Sequence, residues 1–160
     1  MRSILFTSFL LLVLAAAHAA VVRPAPEFAF IGAGDKARSL RSLRGQAVIV
    51  VIADSPKSGD LKRQLKYLEE IYQQLASKQV VLIAAVKSGD GPMPSNIPVA
   101  IASNGAGVAA AYGVQKGFQI SIIGRDGNLD YQSGKVVPSE RVRDVLQNSY
   151  EVQASARKAN

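Results

Sequence analysis

Ala47-Val48-Ile49-Val50-Val51-Ile52-Ala53 is a seven-residue apolar run, five of its members β-branched, closed at one end by Gln46 and at the other by Asp54. It lacks the apolar–polar alternation of a half-buried strand. It reads instead as a strand covered on both faces, the pattern of a central strand in a parallel sheet. Asp54-Ser55-Pro56-Lys57-Ser58-Gly59 interrupts it with turn-forming residues. Leu61, Leu65, Leu68, Ile71, Tyr72 and Leu75 then recur at spacings of three and four, with Lys62, Arg63, Lys66, Glu69, Glu70 and Gln73 between them. This predicts an amphipathic helix with one buried stripe. Val80 to Val86 reads as a second buried strand. Strand, helix and strand in that order make a right-handed parallel crossover the default, and so an α/β fold.

The flanking segments extend this frame. Before it, Glu27-Phe28-Ala29-Phe30-Ile31 is a short strand, Gly32 to Asp35 a turn, and Ser39 to Gly45 a turn or single helical turn. After it, Ser88 to Pro98 is a loop carrying three prolines and two glycines. Val99 to Ala102 reads as a short strand, Val108 to Tyr112 as a short helix, and Gln119 to Ile123 as a strand. Arg125-Asp126-Gly127-Asn128 turns that strand into a hairpin with Leu129 to Gln132. Pro138-Ser139-Glu140 opens a last helix through Val142, Val145 and Leu146, and the polar tail from Glu151 is expected to fray.

The first residues read as a targeting signal. Arg2 supplies a positive start, Ile4 to Ala17 an apolar run too short to span a bilayer, and Ala17-His18-Ala19 a small-x-small cleavage pattern. The expected division is a signal peptide at 1–19, a linker at 20–26, one domain at 27–150 and a flexible tail at 151–160. Export, periplasmic or secreted, is the expected localisation, with no transmembrane segment left after cleavage.

The chain contains no cysteine and a single histidine, His18, inside the segment expected to be removed. Thiol redox chemistry, disulfides and imidazole catalysis are thereby excluded for the cleaved form. Zinc and transition-metal sites lose their usual ligands, so no metal and no cofactor is expected. The net charge of +7 is spread among interleaved acids, with no dense basic block and few aromatics. That argues against nucleic-acid binding and leaves an anionic polymer or membrane surface open as a partner.

At this point the chain resembles the thioredoxin-like superfamily, in its redoxin branch of peroxiredoxins and exported thioredoxins. Phe28 with Phe30, Ser39-Leu40 and Leu43-Arg44-Gly45 resemble the family's opening strand and its "sL-x-x-LrGk" approach to the central strand. Ala111-Tyr112-Gly113-Val114 resembles "a-YGV", and Ile122 to Gly127 resembles "liD-x-dG". The resemblance implies a three-layer sandwich: a central mixed sheet with a parallel βαβ half and a C-terminal β-hairpin plus helix.

It also implies where a redox pair would sit, where the central strand meets the long helix. Ser55-Pro56-Lys57-Ser58 occupies that C-x-x-C position with serine at both ends. Serine forms no disulfide and needs a strong base to act as a nucleophile, so a helix-capping role suits Ser55 or Ser58 better. Phe118 stands where the family places a cis-proline. Asp54, Ser55, Lys57, Ser58 and Phe118 would then surround a vestigial cleft, the candidate binding surface. No catalytic residue is expected.

Two other patterns carry less. Gly105-Ala106-Gly107-Val108-Ala109-Ala110 approaches a dinucleotide fingerprint but lies late in the chain, where small residues for close helix packing suit it better. Glu69-Glu70 are adjacent on a polar helix face and diverge. Three readings stay open: an exported, non-enzymatic, redox-inactive thioredoxin-fold protein binding a protein or small ligand; an accessory member of a cell-envelope redox or stress pathway; and a binder of an anionic polymer or membrane surface.

Overall fold

The computed structural model describes residues 23–32 and 34–158. The expected signal peptide and residues 20–22 of the linker lie outside them. The elements in chain order are β1 (Ala29–Ile31), β2 (Ala37–Ser39), a 3-10 turn (Leu40–Leu43), β3 (Val48–Ala53), α1 (Gly59–Glu70), α2 (Tyr72–Ser77), β4 (Val81–Val86), β5 (Ala100–Ala102), α3 (Gly105–Ala111), β6 (Phe118–Ile123), β7 (Leu129–Ser133) and α4 (Ser139–Lys158).

The seven strands form one mixed sheet in the order β2-β1-β5-β4-β3-β6-β7. β3 lies between β4, parallel, and β6, antiparallel. All six of its residues are buried, as a strand with neighbours on both edges and helices on both faces requires. Its side chains divide by parity. Ile49, Val51 and Ala53 join Leu61, Leu65 and Leu68 of α1 and Val142 and Leu146 of α4. Val48, Val50 and Ile52 join Val108 and Ala109 of α3 and Leu40 and Leu43 of the 3-10 turn. Two cores on one sheet give three layers, α/β/α, as the resemblance implies. Along β6 the alternation of a strand puts Ile120 and Ile122 on the α1 and α4 face and Ile123 on the α3 face, and the pairing with β7 shifts register between Ile122 and Ile123.

Where the sequence predicts one helix through Leu75, the structure breaks it at Ile71. The Ile71 N–H bonds Leu68 O at 3.3 Å, an i→i−3 tightening, and the apolar stripe continues through the break to Leu75. β2 has no counterpart in the sequence reading, because Ala37-Arg38-Ser39 is exposed at all three positions and carries no pattern. α4 runs through Lys158, into the segment expected to fray from Glu151. Tyr150 anchors it, its ring 4.0 Å from the Arg125 guanidinium carbon and its hydroxyl donating to Lys78 O at 3.2 Å. Gln147–Glu151 and Gln153–Ser149 hydrogen bonds add i,i+4 support.

Candidate functional site

The junction between β3 and α1 is held from three sides. The parallel register of β3 and β4 continues beyond the sheet, with Lys87 N donating to Ala53 O and Ser88 N to Asp54 O, both at 3.0 Å. Ser88 Oγ donates to the same Asp54 carbonyl at 3.2 Å. The Asp54 side chain then reaches sideways. Its Oδ1 lies 2.5 Å from Lys87 Nζ, and its Oδ2 accepts from Gly117 N at 2.8 Å. Lys87 Nζ also donates to Gln115 O at 2.7 Å. One ion pair thus ties the ends of β3 and β4 to the segment that feeds β6. The Lys87 ammonium, then the Gly117 amide, hold the Asp54 carboxyl below its ordinary pKa of 3.8.

Ser55 to Ser58 form a β-turn closed by Ser58 N donating to Ser55 O at 3.1 Å, with buried Pro56 second in the turn. Ser58 is the N-cap of α1, its hydroxyl accepting from Leu61 N at 3.4 Å, and Asp60 places a negative charge in the first turn. Ser55 is half-buried, and its hydroxyl has no hydrogen-bond partner among the described residues. Lys57 is exposed and in no ion pair among them. Gly89, at φ +93°, brings the 88–98 loop against Ser55 and Pro56.

The structure therefore gathers Asp54, Ser55, Lys57 and Ser58 in one turn. Phe118 sits beside them, opposite Ala53 in the β3–β6 register, but its ring is buried with Leu61 and Leu65 under α1 rather than lining an open surface. Lys87 and Gly117 were not singled out by sequence. Lys87 follows the last β4 residue as Asp54 follows the last β3 residue, a correspondence visible only once the register is known.

The other patterns resolve structurally. A Cβ on Gly105 would lie 1.9 Å from Val86 O, so α3 packs directly on the end of β4. Asn104 caps that helix through Gly107 N at 2.8 Å. Glu69 accepts from Asn96 and Glu70 from Ser139, so the two carboxylates point to different partners.

With a central β3, a parallel β3–α1–β4 crossover, a β6–β7 hairpin and a closing helix, the architecture can be set against solved structures. A structure assigned as the thiol:disulfide interchange protein DsbE of Chlorobium tepidum superposes with a TM-score of 0.66 at 17% identity, over 80% of this chain and 96% of that one. The fold is thioredoxin-like. Enterococcus faecalis AhpC gives a TM-score of 0.65 at 15% identity, over 81% of this chain and 90% of that one. A thiol:disulfide interchange protein from Bacteroides sp. gives 0.64 at 14%, over 79% and 88%. No protein-family model and no curated protein matches the sequence. The thioredoxin-like chain departs from thiol chemistry in having no cysteine at all.

Proposed function

We propose that this chain is an exported, non-enzymatic, redox-inactive thioredoxin-fold protein that binds a protein or small ligand at the β3–α1 turn. The observation that carries the reading is the fate of the C-x-x-C position. Ser58 spends its hydroxyl on the helix cap, the neighbouring Asp54 is committed to Lys87 and Gly117, and no thiol exists. What is left for recognition is the exposed Lys57 ammonium and the half-buried Ser55 hydroxyl, which has no partner among the described residues, on one turn. Asp54, Ser58 and Phe118 support that turn from below. The apolar run at Ile4 to Ala17 and Ala17-His18-Ala19 support the export half of the reading.

The likeness to thiol:disulfide interchange proteins favours one second reading, an accessory role in a cell-envelope redox pathway without thiols of its own.

The test is affinity capture from the exported fraction at low and moderate salt, with Lys57→Ala plus Ser55→Ala as the control bait. Phe118→Ala is unsuited, because truncating a buried aromatic costs about 3–5 kcal/mol. A salt-resistant partner lost with the control supports the turn as a binding site. Dithiol–disulfide turnover by the purified chain, or capture of salt-labile material alone, overturns it.

A further inference from the structure

At the end of the sheet opposite Asp54, the strands part. β5 begins its pairing at Ala100, opposite Ile83 of β4, and at Ile101, opposite Ile31 of β1. Val81 and Leu82 pair with β3 on one side and with no strand on the other. Pro98, which has no N–H to extend the ladder, stands just before. An open cavity of about 550 Å³ occupies the split. That is within the roughly 300–1,000 Å³ typical of small-molecule sites.

Its walls are mostly apolar: Phe30, Ile31, Val80, Leu82 and Val99, with Ala76 of α2 on one side. Ile31 and its register partner Ile101 are two of the three large apolar side chains left exposed among the described residues, at 36% and 38%. Apolar surface is therefore held open to water at this point.

Two polar features converge on the same cavity. Arg38 lies across β1, its guanidinium carbon 5.8 Å from the Phe30 ring centroid. Among the described residues it makes no ion pair, so a positive charge faces an apolar cavity without a counter-charge. Gln79 follows the last turn of α2 at φ +56°, in the left-handed position that terminates a helix and favours glycine. A glutamine there carries a backbone cost that glycine would avoid. Gln79 and Gln46 are both among the residues that line the cavity.

We propose that this cavity binds a small amphiphilic carboxylate, its apolar body against the Phe30–Val99 wall and its carboxylate paired with Arg38 and the Gln46 and Gln79 amides. One guanidinium and two carboxamide donors match a singly charged, planar acceptor, and a guanidinium takes a carboxylate in bidentate geometry. The site is at the far end of the sheet from the β3–α1 turn and does not depend on the function proposed for that turn.

The experiment is calorimetric titration of the purified protein with decanoate, decanol and decyltrimethylammonium, three probes with one chain and different heads. Decanoate is expected to saturate at one per chain and to bind about tenfold or more tightly than the other two. Arg38→Gln lowers decanoate affinity by about tenfold with little change in Tm, since Arg38 is exposed and in no ion pair among the described residues. Ala76→Leu, at an exposed helix position lining the cavity, narrows it and weakens decanoate binding. Gln79→Gly raises Tm by roughly 3 °C while weakening decanoate, a split that a purely structural glutamine does not produce. Absence of saturation below the concentration at which decanoate aggregates overturns the proposal. So do equal affinities for the three probes, or an Arg38→Gln variant that binds as wild type.

Discussion

Gln64 and Val137 exchange two hydrogen bonds inside the core, Gln64 Nε2 donating to Val137 O at 2.9 Å and Val137 N donating to Gln64 Oε1 at 2.7 Å. The carboxamide is fully buried on α1, and it satisfies both backbone groups of the residue that leads into α4. A glutamine in the middle of an apolar helix face is thus the pin that sets α4 against α1.

Replacing it with leucine keeps the volume and strips both backbone groups of their partners. Gln64→Leu is expected to lower stability by about 2–3 kcal/mol, the cost of leaving buried polar groups unpaired. Urea unfolding with an unchanged m-value measures it, and a loss below about 0.5 kcal/mol would show the exchange to be dispensable.

Gly105 offers a second test of packing. An added Cβ meets Val86 O at 1.9 Å, a backbone atom at the end of the central strand β4. Gly105→Ala is expected to cost about 3 kcal/mol or more, or to shift α3 off β4. The comparison is Gly59→Ala, where nothing lies within 4 Å and φ is ordinary. That variant should be neutral to stabilising.

Asp54 and Lys87 predict a dependence on pH. The Asp54 carboxyl is held below its ordinary 3.8, first by Lys87 and then by Gly117. A depressed folded-state pKa contributes stability that is full above the ordinary value and is lost as pH falls through the lower one. Asp54→Asn should therefore melt below wild type at pH 7, with the gap closing below about pH 3.8. A gap unchanged down to pH 2 contradicts the ion pair's role.

Asp130 should behave in the opposite sense. Burial, and secondarily the Asp126 charge, push its carboxyl above 3.8, against the lowering effect of the Ser149 hydroxyl that donates to it. A raised folded-state pKa means the ionised form is held at a disadvantage, so stability rises as pH falls through the raised value. Asp130→Asn is expected to raise Tm at pH 7 and to lose that advantage below pH 3.8, measured by thermal melts across pH.

Ala47 to Ala53 alone were enough to place a doubly covered central strand, because a run of β-branched residues with no polar position can be buried only from both sides. The stripe from Leu61 to Leu75 placed the helix beside it, and together they determined the parallel crossover. The absence of cysteine determined, from composition alone, that a thioredoxin-like scaffold here runs no thiol chemistry. These are properties of local pattern and inventory, which the chain carries wherever it goes.

Tertiary structure decided what depends on register and on contacts between distant segments. Asp54 and Lys87 lie 33 positions apart, and only the parallel pairing of β3 with β4 makes them a pair. Phe118 sits beside the turn as the aligned motifs suggest, yet whether its ring faces solvent or α1 turns on a strand's face, which a one-residue slip inverts. β2 is a strand because β1 offers an edge, not because Ala37-Arg38-Ser39 prefers one, and the packing of Tyr150 on Arg125 joins residues 25 positions apart. The split that forms the Arg38 cavity has no sequence signature, since it exists only where β5 begins at Ala100, opposite Ile83, and leaves Val81 and Leu82 of β4 without a partner on that edge.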